Sequence, residues 1–370
     1  MMKKIGLIVT NLVGSGAEKV VLHLADMFEK QGDEVHIFLL EDKISYDIKG
    51  AKIHLLSKDR SVFKLFKGWG DTLLARKLRS IVNTIEAEGI KFDLFLSNLP
   101  AADRVMVKAD LPNTYYIIHT SYSMEIEEFR KRGKLTRAIK KEKLYHHLYK
   151  GKDLIAVSLG IKEDLDKMSI AYNSCNVIYN PFDFETICEM ANEESPVIIE
   201  GEYILSASAF RPIKRHDILL EAYSKLSNPP PLKLLCEFNV KLKKMIVDLN
   251  LVDKVEILGF ISNPYPIIKQ AKLLVLSSER EGLPTVLIEA LILNTPVVST
   301  DCISGPSEIL TGELVPFLAK INDSYDLSKK IDNALSEDLK ITKEHIEKFN
   351  RKSVFLQYQN LIFNKELQSE

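Results

Sequence analysis

Short apolar runs recur along this chain, each followed by a longer stretch of helical periodicity, and the whole series runs twice. In the first series the spacing predicts buried strands at residues 5–10, 35–40, 93–97, 115–119 and 154–157. An amphipathic helix at 18–30 turns Val20, Val21, Leu24 and Phe28 inward. The second series predicts strands at 203–207, 232–236, 255–258, 273–276, 297–300 and 314–316. Dense β-branched and leucine runs of this kind belong to parallel sheets buried on both faces. Strand–helix alternation run twice therefore predicts an α/β chain of two doubly wound, Rossmann-like domains. With 370 residues the chain is long enough for both.

The acidic stretch 183–202, with Pro181 and Pro196, is the expected linker, giving domains at 1–180 and 181–350. Residues 351–370 form the end of a helical pattern expected to pack back on the first domain. The net charge of −1 conceals an asymmetry. Residues 1–180 carry 29 Lys and Arg against 23 Asp and Glu, whereas 181–370 carry 21 against 28. Only the first half has an electrostatic reason to approach an anionic surface. Its cations concentrate in residues 58–79, seven against two, and 130–152, ten against one. Both segments interleave them with apolar residues: Val62, Phe63, Leu65, Phe66 and Trp69 in one, and Leu135, Ile139, Leu144, Tyr145 and Leu148 in the other. Such segments fit either peripheral contact with an anionic membrane or a solvated helix face. No nucleic-acid motif accompanies them, so nucleic acid is not an expected partner.

The four cysteines show neither a metal-binding spacing nor a disulfide framework, which suits a reducing cytoplasm. The strand at residue 5 leaves no room for a signal peptide, and no apolar run approaches the ~20 residues of a membrane span. The expected location is cytoplasmic, or peripheral on the cytoplasmic face of the inner membrane.

Three motifs carry chemistry. After the first strand comes a turn holding Gly14 and Gly16, which serves either to bring backbone N–H groups to a ligand or simply to make a tight bend. After the strand at 273–276 comes Glu281-Gly282-Leu283-Pro284-Thr285-Val286, with Glu289 eight residues beyond Glu281. Pro284 favours a helix start. The free N–H groups of Thr285 and Val286 would then face an anion such as diphosphate. Carboxylates accept hydrogen bonds, and sugar and ribose hydroxyls donate them, so Glu281 and Glu289 beside an anion-binding helix end suit a nucleotide sugar. The alternative is that Glu281 caps the helix and Glu289 makes a surface ion pair. After the strand at 203–207, Arg211, Lys214 and Arg215 form a cationic turn that either clamps phosphates or is an exposed basic loop.

Together these motifs resemble the retaining glycosyltransferases of GT-B fold, family four (the group 1 glycosyltransferases), over essentially the whole chain. The resemblance includes Gly14–Glu18, Asn180-Pro181, Leu258-Gly259-Phe260, Glu281 to Glu289, and residues 296–300 with 305–308. It implies two Rossmann-like domains facing a central cleft. It also implies phosphate contacts from Arg211 and Lys214, donor-sugar contacts from Glu281, ribose contacts from Glu289, and a base framed by Phe260 and Ile261. His119, at a strand end, would lie near the donor sugar. Three features depart from the family pattern. Arg211 lies three residues before Lys214 without a preceding glycine, and Cys236-Glu237-Phe238-Asn239 replaces a glycine turn. Asn294 stands where glycine is usual.

The expected activity is transfer from a nucleotide diphosphate donor, a UDP-sugar and, by family analogy, one carrying an N-acetylhexosamine. The acceptor would be a glycan or lipid-linked molecule in surface polysaccharide or glycoconjugate synthesis. No Asp-x-Asp clamp lies near these residues, so no metal or other cofactor is expected. The competing readings are a nucleotide-sugar epimerase or hydrolase and a non-catalytic subunit of an assembly complex. The basic segments would be unexplained in the first of these.

Overall fold

The computed structural model describes residues 2–13, 16–45, 50–58, 69–89, 91–195, 197–337 and 339–369. They form two compact units, Met1–Phe182 with Arg351–Glu370, and Asp183–Asn350.

The first unit is built on a seven-stranded parallel sheet. Its strands are β1 (Lys4–Val9), β2 (Glu34–Leu39), β3 (Lys52–Leu55), β4 (Leu94–Asn98), β5 (Thr114–Ile118), β6 (Asp153–Ala156) and β7 (Ser174–Val177). They are ordered β3-β2-β1-β4-β5-β6-β7. β1 and β4 are buried along their whole length, as a sheet covered on both faces requires. Gly6 on β1 pairs with Phe95 on β4, and a Cβ at Gly6 would strike the Phe95 ring. The glycine thus admits a large aromatic to the centre of the core. The helix Arg351–Ser369 belongs to this unit. Phe355 and Tyr358 lie edge-on to Phe28, and Lys365 pairs with Asp153 at 2.7 Å.

The second unit holds a six-stranded parallel sheet. Its strands are β8 (Ile204–Ala207), β9 (Leu232–Leu235), β10 (Val255–Ile257), β11 (Leu273–Leu276), β12 (Val297–Thr300) and β13 (Leu318–Ala319). Their order is β10-β9-β8-β11-β12-β13. Residues 183–202 are more than a connection, because Asp183 caps a helix at Phe184–Met190. The strand expected at 314–316 is instead part of a 3-10 helix, Gly312–Phe317, with Pro316 inside it. Proline lacks the N–H that a strand ladder needs, and the chain joins the sheet only at Leu318.

In each sheet the strand order reverses once, between β1 and β4 and between β8 and β11. Loops leaving such a pair diverge to opposite faces and open a crevice beyond the carboxyl ends of the strands. The sequence motifs lie on these loops.

Candidate functional site

In the second unit the loops after β8 and β11 are stitched together by their own backbone. Ser277 Oγ donates to the Lys214 carbonyl at 2.8 Å, and the Glu279 N–H donates to the Ile213 carbonyl at 2.8 Å. Pro212–Lys214 forms a 3-10 turn that Arg215 ends in the left-handed region, with φ 48°. The helix His216–Ser224 begins directly afterwards. This geometry sets Lys214 Nζ 2.5 Å from Glu281 Oε1, with both side chains mostly buried. The group expected to hold phosphate and the group expected to hold sugar hydroxyls therefore meet at the switch point. Each neutralises the other there.

The cationic turn is less open than its composition suggests. Arg215 is tied to Asp217 through Nε at 2.9 Å and Nη2 at 2.7 Å. Two of its guanidinium donors are thereby engaged by a neighbouring carboxylate. Arg211 is exposed and forms no ion pair with the described residues.

The helix Thr285–Ile292 follows, with Pro284 as its N-cap rather than its first residue. No side chain caps this end, so the leading N–H groups at Thr285 and Val286 retain the donor character and partial positive charge of a helix start. Glu289, one turn in, is only 5% exposed, so its carboxylate is set into the fold rather than on the open surface. Gly282 and Leu283 are buried. Ser304 Oγ donates to the Glu281 carbonyl at 2.6 Å. Gly305 adopts φ +97°, and a Cβ there would collide with the Pro284 ring and approach Leu283 Cα to 3.1 Å. Gly305→Ala is therefore expected to push the Glu281 loop outward. A misplacement of about 1 Å can cost on the order of 100-fold in rate. We expect about a tenfold to 100-fold loss of turnover with a smaller change in melting temperature, checked by steady-state kinetics beside calorimetry.

Gly259 has φ +81°, a conformation glycine adopts without strain, and it projects the loop that carries Phe260, which is 83% exposed. Ile261 beside it is half-buried.

In the first unit, His119 follows β5 and its Nε2 lies 2.9 Å from Asn98 Oδ1 at the end of β4. Asn98 Nδ2 already donates to the Ile8 and Leu96 carbonyls, so Oδ1 is the acceptor and Nε2 carries the proton. Burial lowers the His119 pKa to about 4, which keeps the ring neutral near pH 7. Gly16 opens the helix Gly16–Glu29, and a Cβ there would meet nothing within 4 Å. Gly14 lies outside the described residues.

The basic segments need correction. In the helix Leu135–Tyr149, Tyr145 and Leu148 belong to the core, leaving Leu135 and Ile139 exposed. Arg130 pairs with Glu142 at 2.9 Å, and Lys141 with Glu125 at 3.0 Å. Residues 59–68, with Val62, Phe63, Leu65 and Phe66, lie outside the described residues. Beyond them Trp69 and Leu73 are exposed, while Lys77 and Arg79 donate to the carbonyls of Leu56 and Ala109.

A family model described as "Glycosyl transferases group 1" matches residues 192–353, and one described as "Glycosyltransferase Family 4" matches residues 14–186. The chain is 29% identical over 345 residues to N-acetylgalactosamine-N,N'-diacetylbacillosaminyl-diphospho-undecaprenol 4-alpha-N-acetylgalactosaminyltransferase of Campylobacter jejuni, covering 91% of each chain. Among solved structures, a sucrose-phosphate synthase from Thermosynechococcus elongatus superposes with a TM-score of 0.77 at 15% identity, over 100% of both chains. HepE of Anabaena, in complex with UDP, gives 0.71 at 18% identity, covering 98% of this chain and 100% of that one. The two parallel sheets and these neighbours make the fold GT-B.

Proposed function

We propose that this chain, which belongs to the group 1 glycosyltransferases, moves a sugar from a nucleotide diphosphate donor, a UDP-sugar, with retention of anomeric configuration. The observation that carries the reading is the Lys214–Glu281 pair at 2.5 Å, set at the strand-order reversal beside the uncapped helix that bears Glu289. The diphosphate replaces Glu281 as the partner of Lys214, and Glu281 is released to accept donor-sugar hydroxyls. Glu289 accepts from the ribose, while Arg211 and the N–H groups of Thr285 and Val286 complete the anion contacts. Gly282 and Leu283 offer backbone, and Phe260 and Ile261 flank the base.

In the reaction the bond from the anomeric carbon to the β-phosphate oxygen breaks, and the acceptor hydroxyl forms its bond on the same face. Its proton passes to a phosphate oxygen, giving a nucleoside diphosphate. The protein's contribution is electrostatic: fixed donors stabilise charge as it develops on the leaving group. Those cations come from side chains and a helix end, so we expect transfer to continue undiminished in excess EDTA. A rate restored only by added Mg²⁺ or Mn²⁺ would overturn that part.

The acceptor is a glycan or lipid-linked molecule in glycoconjugate assembly, and the sugar is an N-acetylhexosamine. The name of the Campylobacter relative supports both assignments. No helix among the described residues is long and apolar enough to cross a membrane. The protein meets its acceptor from the cytoplasm at an anionic surface, through residues 58–79 and 130–152. Among the described residues there, Trp69, Leu73, Leu135 and Ile139 are exposed apolar contacts. Flotation with phosphatidylglycerol vesicles is expected at low salt and to weaken at high salt. Absence of binding at low salt would sink the membrane assignment. Incubating UDP-sugars with lipid-linked acceptors and reading the product's anomeric configuration by NMR tests the reaction itself.

A further inference from the structure

The three strands on one side of the switch point in the second sheet, β8, β9 and β10, are each followed by a phenylalanine. In every case it is the third residue past the strand: Phe210, Phe238 and Phe260. The strands are neighbours, with Ala207 level with Leu235 and Ile257 level with Leu234. Three aromatic rings thus enter along one edge of the sheet at nearly one height. Phe210 is already occupied, half-buried and edge-on to His216 at 5.3 Å. The other two are not part of the core, Phe238 being 64% and Phe260 83% exposed. Large apolar rings held in water on adjoining loops mark a surface that receives something apolar and flat.

The two loops also leave in different directions. The helix after Phe238, Val240–Asp248, packs on His216–Ser224, whereas the helix after Phe260, Tyr265–Gln270, packs on Thr285–Ile292, the helix of Glu289. Parallel strands with right-handed crossovers place these two helix pairs on opposite faces of the sheet. The loops that carry Phe238 and Phe260 therefore turn toward opposite faces of the sheet. Lys243 Nζ lies 5.9 Å from the Phe238 ring centroid.

We infer that Phe238 is a second base-stacking residue, closing on the face of the donor nucleobase opposite Phe260. This rests on the donor reading above. It gives a purpose to the bulky Cys236-Glu237-Phe238-Asn239 loop, which stands where the family pattern has a glycine turn. Stacking needs only a π-face, so it supplies affinity for the nucleoside whatever the base.

The test is calorimetric titration of the full chain with UDP, CDP, ADP, GDP and dTDP. Phe238→Ala is expected to weaken the nucleotide that the wild type binds by about tenfold. Inorganic pyrophosphate, followed by competition, is expected to keep its wild-type affinity because it has no base. A second readout uses the single tryptophan, Trp69. In a Trp69→Phe background, Phe238→Trp emission is expected to be quenched by the nucleotide and not by pyrophosphate. Wild-type nucleotide affinity in Phe238→Ala, or unchanged Phe238→Trp emission at saturation, would overturn the inference alone. No binding of any of the five nucleotides by the wild type would overturn the donor reading with it.

Discussion

Glu289→Ala is expected to lower kcat/KM for the donor by roughly two to four orders of magnitude, chiefly through a raised KM. A hydrogen bond to a charged group contributes about 1.5–3 kcal/mol, and a ribose can offer two hydroxyls to one carboxylate. At about 1.4 kcal/mol per factor of ten, losing both accounts for that range. The carboxylate is buried, so the contacts form away from competing water. The ribose takes no part in bond breaking, and a contact equally strong in ground and transition states appears in KM rather than kcat. Glu289→Gln keeps one acceptor oxygen and should fall between wild type and alanine. Initial rates against donor concentration, with melting curves to verify folding, decide the matter. Near-normal donor KM in Glu289→Ala would remove the ribose from this helix.

Much of the architecture was legible in the sequence because the parallel strands are buried on both faces and therefore rich in closely spaced apolar residues. β1, β4, β11 and β12 are of this kind. The two edge strands of the first sheet escaped for the same reason. β3 is Lys-Ile-His-Leu and β7 is Ser-Cys-Asn-Val, neither fully buried, and their polar residues break the run. The site was partly legible. Glutamate spacing around a proline-led helix start reflects local chain geometry, so Glu281, Thr285 and Glu289 could be placed on one turn and one helix. Contacts that cross between loops carried no local signature. Nothing at Ser277 or Ser304 announces hydroxyls that donate to the carbonyls of Lys214 and Glu281. Nor does the spelling of 211–215 reveal that Arg215 is claimed by Asp217 while Lys214 turns to Glu281. The residue pattern suggested an anion site. Which cation is available to an anion was decided by folding.

That distinction makes Lys214 the position where a small change should cost the most in turnover. Lys214→Ala is expected to reduce kcat by about 10²–10³, the loss measured when a single preorganised charge-stabilising donor is removed elsewhere. The donor diphosphate is charged before the reaction and gains charge on its bridging oxygen as the glycosidic bond breaks. The part of the Lys214 interaction that grows in that step appears in kcat, and only the remainder in KM. The substitution has a second consequence: it leaves the Glu281 carboxylate without the cation that now sits 2.5 Å away. An uncompensated carboxylate beside the diphosphate adds repulsion to lost attraction. Restoring neutrality in the double variant Lys214→Ala with Glu281→Gln should therefore recover part of the kcat lost by the single variant. Lys214→Arg should retain more activity than alanine and less than wild type, since the charge persists while its geometry changes. If Lys214→Ala kept its kcat and changed only donor KM, the transition-state charge would have to be held by Arg211 and the start of the Thr285 helix instead.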